Sequence, residues 1–297
     1  MTPPAVQPQR SDETSALALV ARVVTDMREQ PHDESARLSQ ALLGEVAAVL
    51  EENAGWARVR LERDGSAGWV HARALRRCSR NEAEAYGQAC DALVSTELLP
   101  AFGRLAPLGS GGGKVGADEV GKLPFGLAVP AAERQGMWAA VHLPDGARWW
   151  VSNILLPIRN RPAPDAPGMA FVLGLLRRFV GIPYLPGGRT PYGFDDAGLT
   201  QALWGFVGVN LPRDASQQFE AGEPVEAEPQ PGDLVFFGEM EGGRRSISHV
   251  AISLGGDDLI HANRYTWSVA IHSLNAESSL YHAWLRDHLA GVRRYRA

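Results

Sequence analysis

The segment 181–198, GIPYLPGGRTPYGFDDAG, constrains the fold most, because it is a loop that runs directly into a helix. Its five glycines and three prolines exclude a long helix or a central strand within the loop. Asp195 has a side-chain oxygen of the kind that accepts the free N–H groups at a helix start. Beyond it, apolar residues recur at helical spacing: Leu199, Ala202, Leu203 and Phe206. We therefore expect a helix that begins at Asp195 and packs one face on a core.

The residues around this helix predict an α+β domain. Before it, Met169–Val180 is apolar on a helical period. After it, Pro231–Phe237 has the pattern of a turn followed by a buried strand, and a predicted hairpin carries His249 and His261. SVAIHSL and GVRRYRA supply further strands, with a short helical stretch at Ser279–Trp284. Helices followed by antiparallel strands place the helix N-terminus against a sheet.

The first quarter of the chain has the alternation and the turns of a small β domain. Val46–Leu50 and Trp56–Leu61 alternate apolar and polar residues, as half-buried strands do. Asn53–Gly55 is turn chemistry between them, and Gly68–Val70 closes the unit. In this order the features resemble a bacterial SH3-like barrel, which we expect over residues 14–80.

Residues 81–160 repeat this pattern more loosely. Arg80–Ala101 is acidic and helix-permissive, which is typical of a connector, and Leu108–Gly113 predicts a flexible loop. Strand-like runs containing Trp138 and Trp149 then flank a Pro-Asp-Gly turn. The combination resembles a second SH3-like barrel.

Two further segments fix the predicted domain boundaries. Residues 1–13 are polar and proline-rich, and we expect them to form a disordered lead. Asn160–Pro167 is the clearest linker, because its prolines block both helix and sheet. The last predicted domain is 161–297.

This last domain resembles the papain-like catalytic domain of NlpC-type cell-wall cysteine peptidases. The resemblance rests on markers that appear in order over residues 170–297: Gly-x-Pro-Tyr-x-x-Gly-Gly, Gly-Phe-Asp-x-x-Gly-Leu, Leu-Pro-Arg, Pro-Gly-Asp-Leu-Val-Phe-Phe, Ser-His-Val-x-Ile and Ile-His-Ala. With two SH3-like barrels ahead, the chain looks like the γ-D-glutamyl-L-diamino acid endopeptidase group. The resemblance implies helices packed on an antiparallel sheet and muropeptide-like substrates.

The resemblance also implies roles for individual residues. His249 matches the general base, and His261 matches the polar residue that orients it. Tyr184 and Asp195 match substrate-binding positions. Asp196 stands where the family has its nucleophilic cysteine. Two neighbouring positions also depart from the family pattern, with Ala197 in place of a serine that borders the substrate and Pro186 in place of a tryptophan.

The exchange of cysteine for Asp196 changes the chemistry that is possible. A thiol at a helix N-terminus beside a histidine has a lowered pKa and attacks amides as a thiolate. An aspartate there is ionised at neutral pH, since its ordinary pKa is about 3.9. A stabilised carboxylate attacks amides poorly because the product is an anhydride, and its larger side chain fills the space of the scissile carbonyl. We expect no turnover by the thiol route.

Three alternatives accompany the hypothesis of a muropeptide-binding protein without thiol-dependent cleavage. The first is an active hydrolase in which Asp196 and His249 direct a water molecule. The second is a metal site formed by Asp196, His249 and His261, a ligand set found in several catalytic Zn and Fe centres. The third is a scaffold whose SH3-like domains contact a partner protein.

Composition excludes other classes of partner. The net charge is −5, without a basic run, so we expect neither nucleic acid nor a membrane surface as partner. We also expect no cofactor. The N-terminus lacks the apolar core of a secretory signal, so a cytoplasmic location is the expectation. Cys78 and Cys90 fit no metal spacing, and idle thiols are favoured over a disulfide. The other histidines considered are expected to be surface or structural residues: His142, His272, His282 and His288.

Overall fold

The computed structural model describes residues 16–104, 118–241 and 244–296. Within them, two β-rich units and a connector helix precede an α+β unit. The predicted disordered lead at 1–13 and the predicted flexible loop at Leu108–Gly113 lie outside the described residues.

The first unit is a seven-stranded antiparallel sheet in the order β3-β2-β6-β5-β4-β1-β7. Its strands are β1 (Ala16–Val20), β2 (Val24–Arg28), β3 (Arg37–Leu42), β4 (Val46–Asn53), β5 (Trp56–Leu61), β6 (Ala67–His71) and β7 (Leu75–Cys78). The predicted turn between β4 and β5 is confirmed. Ala54 and Gly55 both have positive φ, 46° and 85°, as a two-residue hairpin turn requires. The inward residues of alternate positions, such as Ala57, Val59 and Leu61, form the core.

A helix connects this unit to the next. Helix α1 (Arg80–Ala89) begins at Ser79, whose hydroxyl oxygen accepts from the Glu82 N–H, while the Glu82 carboxylate accepts from the Ser79 N–H. The expectation of a helix-permissive connector up to Ala101 is wrong beyond residue 89. There the apolar residues of Ala92–Leu93 and Leu98–Phe102 enter the second core as strands.

The second β unit consists of a five-stranded sheet, β10-β9-β14-β13-β12, and a three-stranded one, β11-β8-β15. Its strands are β8 (Ala92–Leu93), β9 (Leu98–Phe102), β10 (Glu119–Pro124), β11 (Ala128–Val129), β12 (Glu133–Gln135), β13 (Trp138–His142), β14 (Arg148–Ser152) and β15 (Leu156–Pro157). Leu42 and Leu43 of the first unit enter its core, so the two units share a packed interface.

The third unit begins with helices, as predicted. Helix α2 (Ala166–Leu176) starts at Asp165 with Pro167 in its first turn, so the predicted linker ends inside the helix. The short hairpin β16 (Arg189–Thr190) and β17 (Gly193–Phe194) leads into α3 (Asp196–Phe206), and α4 (Ala215–Ala221) follows. Asp195 is the N-cap of α3, which confirms the expected helix start.

Behind these helices lies a six-stranded antiparallel sheet in the order β18-β23-β19-β20-β21-β22. Its strands are β18 (Glu223–Pro224), β19 (Leu234–Glu241), β20 (Arg244–Gly255), β21 (Asp258–Asn263), β22 (Ser268–Ser273) and β23 (Leu289–Arg294). The short helix expected at Ser279–Trp284 forms later, as α5 (Ala283–Asp287), after His282 as its N-cap. The apolar face of α3 packs with Leu234, Phe236 and Val250 of the sheet.

Buried polar contacts join the first and third units beside the start of α3. Arg189 donates to the main-chain oxygen of Gln40 at 2.6 Å and forms a two-pronged ion pair with Glu45 at 2.8 and 3.2 Å. Arg213 donates to the hydroxyl of Ser39 at 3.0 Å. Within the described ranges, no helix is long and apolar enough to cross a bilayer.

Candidate functional site

The head of helix α3 is held tightly by the loop before it. Asp195 accepts the N–H of Gly198 at 2.7 Å and donates its own N–H to the main-chain oxygen of Gly188. A Cβ at residue 198 would lie 2.0 Å from that oxygen, so only glycine permits this approach. The loop therefore fixes Asp196 as the first helical residue, with its side chain facing the sheet.

Asp196 meets strand β20 at His249. Its Oδ2 accepts from Nδ1 of His249 at 2.8 Å and from the N–H of Val250 at 3.1 Å. The two side chains keep 15% and 12% of their surface exposed, so the pair borders solvent. Burial raises the pKa of Asp196, but the charge and hydrogen bond of His249 and the Val250 N–H outweigh it and lower the pKa below its ordinary value.

From this carboxylate, a line of histidines runs across the sheet. Nε2 of His249 lies 2.6 Å from Nδ1 of His261, and Nε2 of His261 lies 2.8 Å from Nδ1 of His272. The ring of His282 is 4.8 Å from that of His272. His261 is fully buried, whereas His272 and His282 are partly exposed. The line thus connects the head of α3 to the far edge of the sheet.

The hydrogen-bond directions along this line follow from the carboxylate. Because ionised Asp196 only accepts, Nδ1 of His249 carries a proton, and its Nε2 accepts when the ring is neutral. His261 then donates from Nδ1 to His249, and His272 donates from Nδ1 to His261. A second proton on His249 reverses both later bonds. All three hydrogen bonds remain satisfied in either arrangement, which is the property of a proton relay.

Protonation of the histidines beyond His249 is unfavourable. Burial, followed by the neighbouring charges of His249 and His272, lowers the pKa of His261 well below its usual value. Burial and the neighbouring His282 and His249 also lower the pKa of His272. The neutral forms of these imidazoles are therefore favoured at neutral pH.

Asp195, the neighbour of Asp196, is bound within the chain. Its Oδ2 accepts from Nη2 of Arg213 at 2.5 Å and from the N–H of Gly187 at 3.0 Å, while Oδ1 accepts from Gly198. Arg213 in turn contacts Ser39 of the first unit. These contacts make Asp195 a helix cap and an anchor to the first unit, which gives no support to its expected role in substrate binding.

Tyr184 lies on the other side of the helix head, paired through its main chain with Phe194. Its hydroxyl accepts from Nε of Arg264 at 3.3 Å, and its ring meets the edge of Trp267 at 6.0 Å. Trp267 is 62% exposed and holds a positive φ of 53°, which is strained for a bulky residue. Tyr184, Arg264 and Trp267 form an exposed aromatic and cationic rim, here called the aromatic rim.

The donor geometry does not fit the metal alternative. His249 directs one ring nitrogen to Asp196 and the other to His261, so the three side chains are arranged in series and do not converge on a point. Across the described part of the chain, no group of three His, Cys, Asp or Glu side chains is placed to hold a metal ion.

Two segments of the chain match known protein families. Residues 181–294 match the NlpC/P60 family, and residues 27–75 match the bacterial dipeptidyl-peptidase Sh3 domain. The chain carries an NlpC/P60 domain behind a bacterial SH3 domain. The matched NlpC/P60 segment contains the head of α3, the aromatic rim and the hydrogen-bonded line of His249, His261 and His272.

The relatives that the chain resembles are peptidases and hydrolases by name. The γ-D-glutamyl-L-lysine dipeptidyl-peptidase of Bacillus cereus is 27% identical over 269 residues, which are 86% of this chain and 74% of that protein. The protein of the same name from Bacillus subtilis is 37% identical over 97 residues, 32% of each chain. The chain also spans about a third of the γ-DL-glutamyl hydrolase of Bacillus subtilis, at 35% identity.

Solved structures show the same fold. A crystal structure of an NlpC/P60 family protein from Bacillus cereus matches with a TM-score of 0.75 at 22% identity, over 95% of this chain and 100% of that one. An NlpC/P60 endopeptidase from Photobacterium damselae matches with a TM-score of 0.64 at 16% identity, over 98% of this chain and 73% of that one.

The structure brings several of the predicted site residues together. Asp196, His249 and His261 are hydrogen-bonded in that order, and Tyr184 lies beside the helix head. Ala197 is 4% exposed and packs into the domain core, because the second helical position turns inward. Its contact with a substrate stays a prediction.

His272 is the site residue that sequence reasoning missed. It was expected to be surface or structural, yet it is hydrogen-bonded to His261. The alternation of side chains along β21 and β22 could have placed His272 on the same sheet face as His261. Leu259 pairs with His272 across β21 and β22, and His261 lies two residues from Leu259, so both imidazoles share one sheet face as diagonal neighbours. His282 joins them from the segment before α5.

Proposed function

We propose that this protein binds cell-wall peptides of the γ-D-glutamyl-L-diamino acid type on an NlpC/P60 scaffold without thiol-dependent cleavage. The observation that carries the proposal is the position of Asp196. Its carboxylate is at the helix head, 2.8 Å from Nδ1 of His249, where resemblance to the family implies a cysteine. A carboxylate engaged with the imidazole and with a main-chain N–H is a stabilised anion and a poor nucleophile.

The thiols of the chain support the same conclusion. The sequence holds two cysteines, Cys78 and Cys90, and neither lies in the matched segment 181–294. Both are unpaired, as expected from their spacing. Cys90 donates to the main-chain oxygen of Tyr86 at 3.4 Å, and burial, with Asp91 nearby, raises its pKa to about 12. A half-buried, protonated thiol in the connector does not replace a nucleophile at α3.

The histidines support binding over the hydrolase alternative. A general base needs a free lone pair directed at the proton that it removes. Both ring nitrogens of His249 are already engaged, with Asp196 at 2.8 Å and with His261 at 2.6 Å. Activating a water molecule would break one of these bonds. The relay is then a means of holding Asp196 ionised and His249 fixed in orientation.

The aromatic rim is the surface that we assign to the peptide. Arg264 is exposed beside Tyr184, which suits the free carboxylate of a stem peptide. Trp267 gives an exposed face for the peptide backbone or its side chains. Asp196 supplies a negative charge for an amine. The named activities of the relatives, on γ-D-glutamyl-L-lysine, involve peptides with both kinds of group.

The first unit closes one side of this region. Arg37 of β3 donates to the main-chain oxygen of Pro186 at 3.1 Å, and Ser39 holds Arg213 against Asp195. We also infer that the second β unit is another SH3-like barrel, because its two small sheets enclose their own core. These contacts support a role for the N-terminal part of the chain in positioning the loop between Tyr184 and Asp196, beside the proposed peptide surface.

A combined binding and cleavage experiment tests the proposal. L-Ala-γ-D-Glu-L-Lys and its diaminopimelate counterpart are titrated into the purified full chain by calorimetry, and the same mixtures are analysed by mass spectrometry after long incubation. We expect saturable binding and an intact peptide. Silence at millimolar peptide contradicts the binding role. Products that persist after alkylation of the thiols but vanish in Asp196→Asn favour the hydrolase alternative.

A further inference from the structure

A cleft lies at the end of helix α3 opposite to Asp196, where the three units meet. Its volume is about 430 Å³, within the usual range for small-molecule sites of about 300–1,000 Å³. Gly205 and Gly208, at the end of the helix, form part of its wall. At about 1.5 Å per residue, this end is about 14 Å along the helix from Asp196. The cleft is therefore separate from the peptide region.

Two arginines from different units line this cleft, Arg63 and Arg161. The Nε atom of each is buried and has no hydrogen-bond partner. Among the described residues, no ion pair is found for the guanidinium of Arg161, and the guanidinium of Arg63 has one long ion pair, 3.7 Å from Glu45. Buried N–H groups without acceptors are rare and costly, so these donors need an explanation.

The carboxylates nearby are already used. Glu45 is held by Arg189 through two hydrogen bonds, and Asp64 accepts from the side chain of Gln201 and the N–H of Ser66. Glu45 also lines the cleft, so the charged side chains of its wall are one carboxylate and two guanidinium groups, with an excess of one positive charge. Burial, followed by the charge of Arg189, lowers the pKa of Arg63, as expected where cations outnumber anions.

The end of α3 explains one of these cations but not both. A helix C-terminus carries about half a negative charge, which a nearby arginine offsets. Arg63 meets it by reaching the main-chain oxygen of Gln201 at 3.5 Å. Arg161 instead lies over Gly208, where a Cβ would be 3.1 Å from Nη1, and a Cβ at Gly205 would be 2.2 Å from Nη2 of Arg63. The absence of side chains at both glycines leaves room for the two guanidinium groups.

We propose that this junction cleft binds a small organic anion, a carboxylate or phosphate on an apolar body, between Arg63 and Arg161. Planar guanidinium groups bind such anions through paired N–H donors. Leu42, Leu127 and Ile158 supply apolar walls for the body of the ligand. Because the cleft is built from all three units, an occupant would link them and stabilise their arrangement.

Thermal unfolding and calorimetry of the full chain test this site with four probes: inorganic phosphate, acetate, benzoate and the neutral benzyl alcohol. At constant ionic strength we expect a saturable rise in Tm with benzoate, a weaker one with acetate or phosphate, and none with benzyl alcohol. Arg161→Gln should abolish the rise. The matched control Arg159→Gln, an exposed arginine two residues away, should retain it, and so should Asp196→Ala, which alters only the peptide region.

The same variant separates a binding role from a structural one. If Arg161 serves an anion, Arg161→Gln without anion should have a Tm equal to or above that of the wild type, since an unpaired half-buried charge is removed. A Tm markedly below the wild type means that Arg161 is a structural cap and overturns the proposal. It is also overturned if none of the anions gives a saturable shift, or if Arg161→Gln responds to benzoate as the wild type does.

Discussion

Asp195 and Asp196 are adjacent in sequence but turn their carboxylates to opposite partners. Asp195 faces Arg213, 2.5 Å away, and Asp196 faces His249, 2.8 Å away. Burial and the adjacent charge of Asp196 raise the pKa of Asp195, with Arg213 opposing, whereas His249 lowers that of Asp196. One carboxylate anchors the helix to the first unit, and the other faces the region that we propose as the peptide-binding site. The two positions should therefore respond differently to substitution.

The first prediction concerns a cysteine at residue 196. Asp196→Cys places a thiol at a helix N-terminus beside an imidazole, the setting that lowers a thiol pKa. We expect cleavage of L-Ala-γ-D-Glu-L-Lys at least about 100-fold above the wild type, a typical contribution of a positioned base. The measurement is the rate of product formation by mass spectrometry.

Two controls accompany this variant. Asp196→Cys combined with His249→Ala should lose the gained activity, because the thiol has no base. Asp196→Ser should remain inactive at the same pH, since a hydroxyl ionises far less readily. A folded Asp196→Cys that binds peptide but makes no product would locate the defect elsewhere, with Pro186 as the first residue to restore to the tryptophan implied by the family.

The site could be predicted from sequence to the extent that it depends on local order. The N-cap at Asp195 and the hairpin of His249 and His261 follow from capping and from strand alternation. Arg189 could not be placed, because its partners Gln40 and Glu45 are almost 150 residues away. No local pattern encodes such a pairing. His272 is intermediate, since its contact required the register of two strands.

The second prediction concerns acid stability. The folded pKa of His261 lies well below its ordinary value of 6.5, so the unfolded chain binds the proton first. The contribution of neutral His261 to the free energy of unfolding is complete above pH 6.5. It is lost as the pH falls below 6.5, at up to about 1.4 kcal/mol per pH unit. His272 and His282 contribute with the same sign. The lowered pKa of Asp196 affects stability only below about pH 3.8, the ordinary pKa of this carboxyl group.

Denaturant unfolding between pH 7.5 and 5 measures this effect. His261→Gln should lower stability at pH 7.5, because the relay loses a partner, but it should flatten the dependence on pH. The exposed His32→Gln is the control and should reproduce the wild-type slope. An unchanged slope in His261→Gln would show that other groups bind the proton.

The third prediction concerns the interface between the first and third units. Arg189 and Glu45 keep only 2% and 10% of their side-chain surface exposed. Glu45→Gln leaves a buried arginine without its charge partner and should reduce the free energy of unfolding by about 3–5 kcal/mol. Glu51→Gln, on the exposed end of β4, should change it by less than about 0.5 kcal/mol. If Glu45→Gln lowered the free energy of unfolding no more than Glu51→Gln, the ion pair of Arg189 and Glu45 would not stabilise the fold.

The fourth prediction separates strain from binding at Trp267. Its positive φ of 53° costs about 1 kcal/mol or more for a bulky residue, and glycine adopts this conformation freely. Trp267→Gly should therefore preserve or raise the Tm, while loss of the exposed ring weakens stem-peptide binding about tenfold, equivalent to about 1.4 kcal/mol. Trp267→Ala removes the same ring but keeps the strain, so it should bind as weakly without any gain in Tm. Equal Tm values for the two variants would show that backbone strain at residue 267 does not affect stability. Wild-type affinity in both variants would show that Trp267 does not take part in the proposed peptide binding.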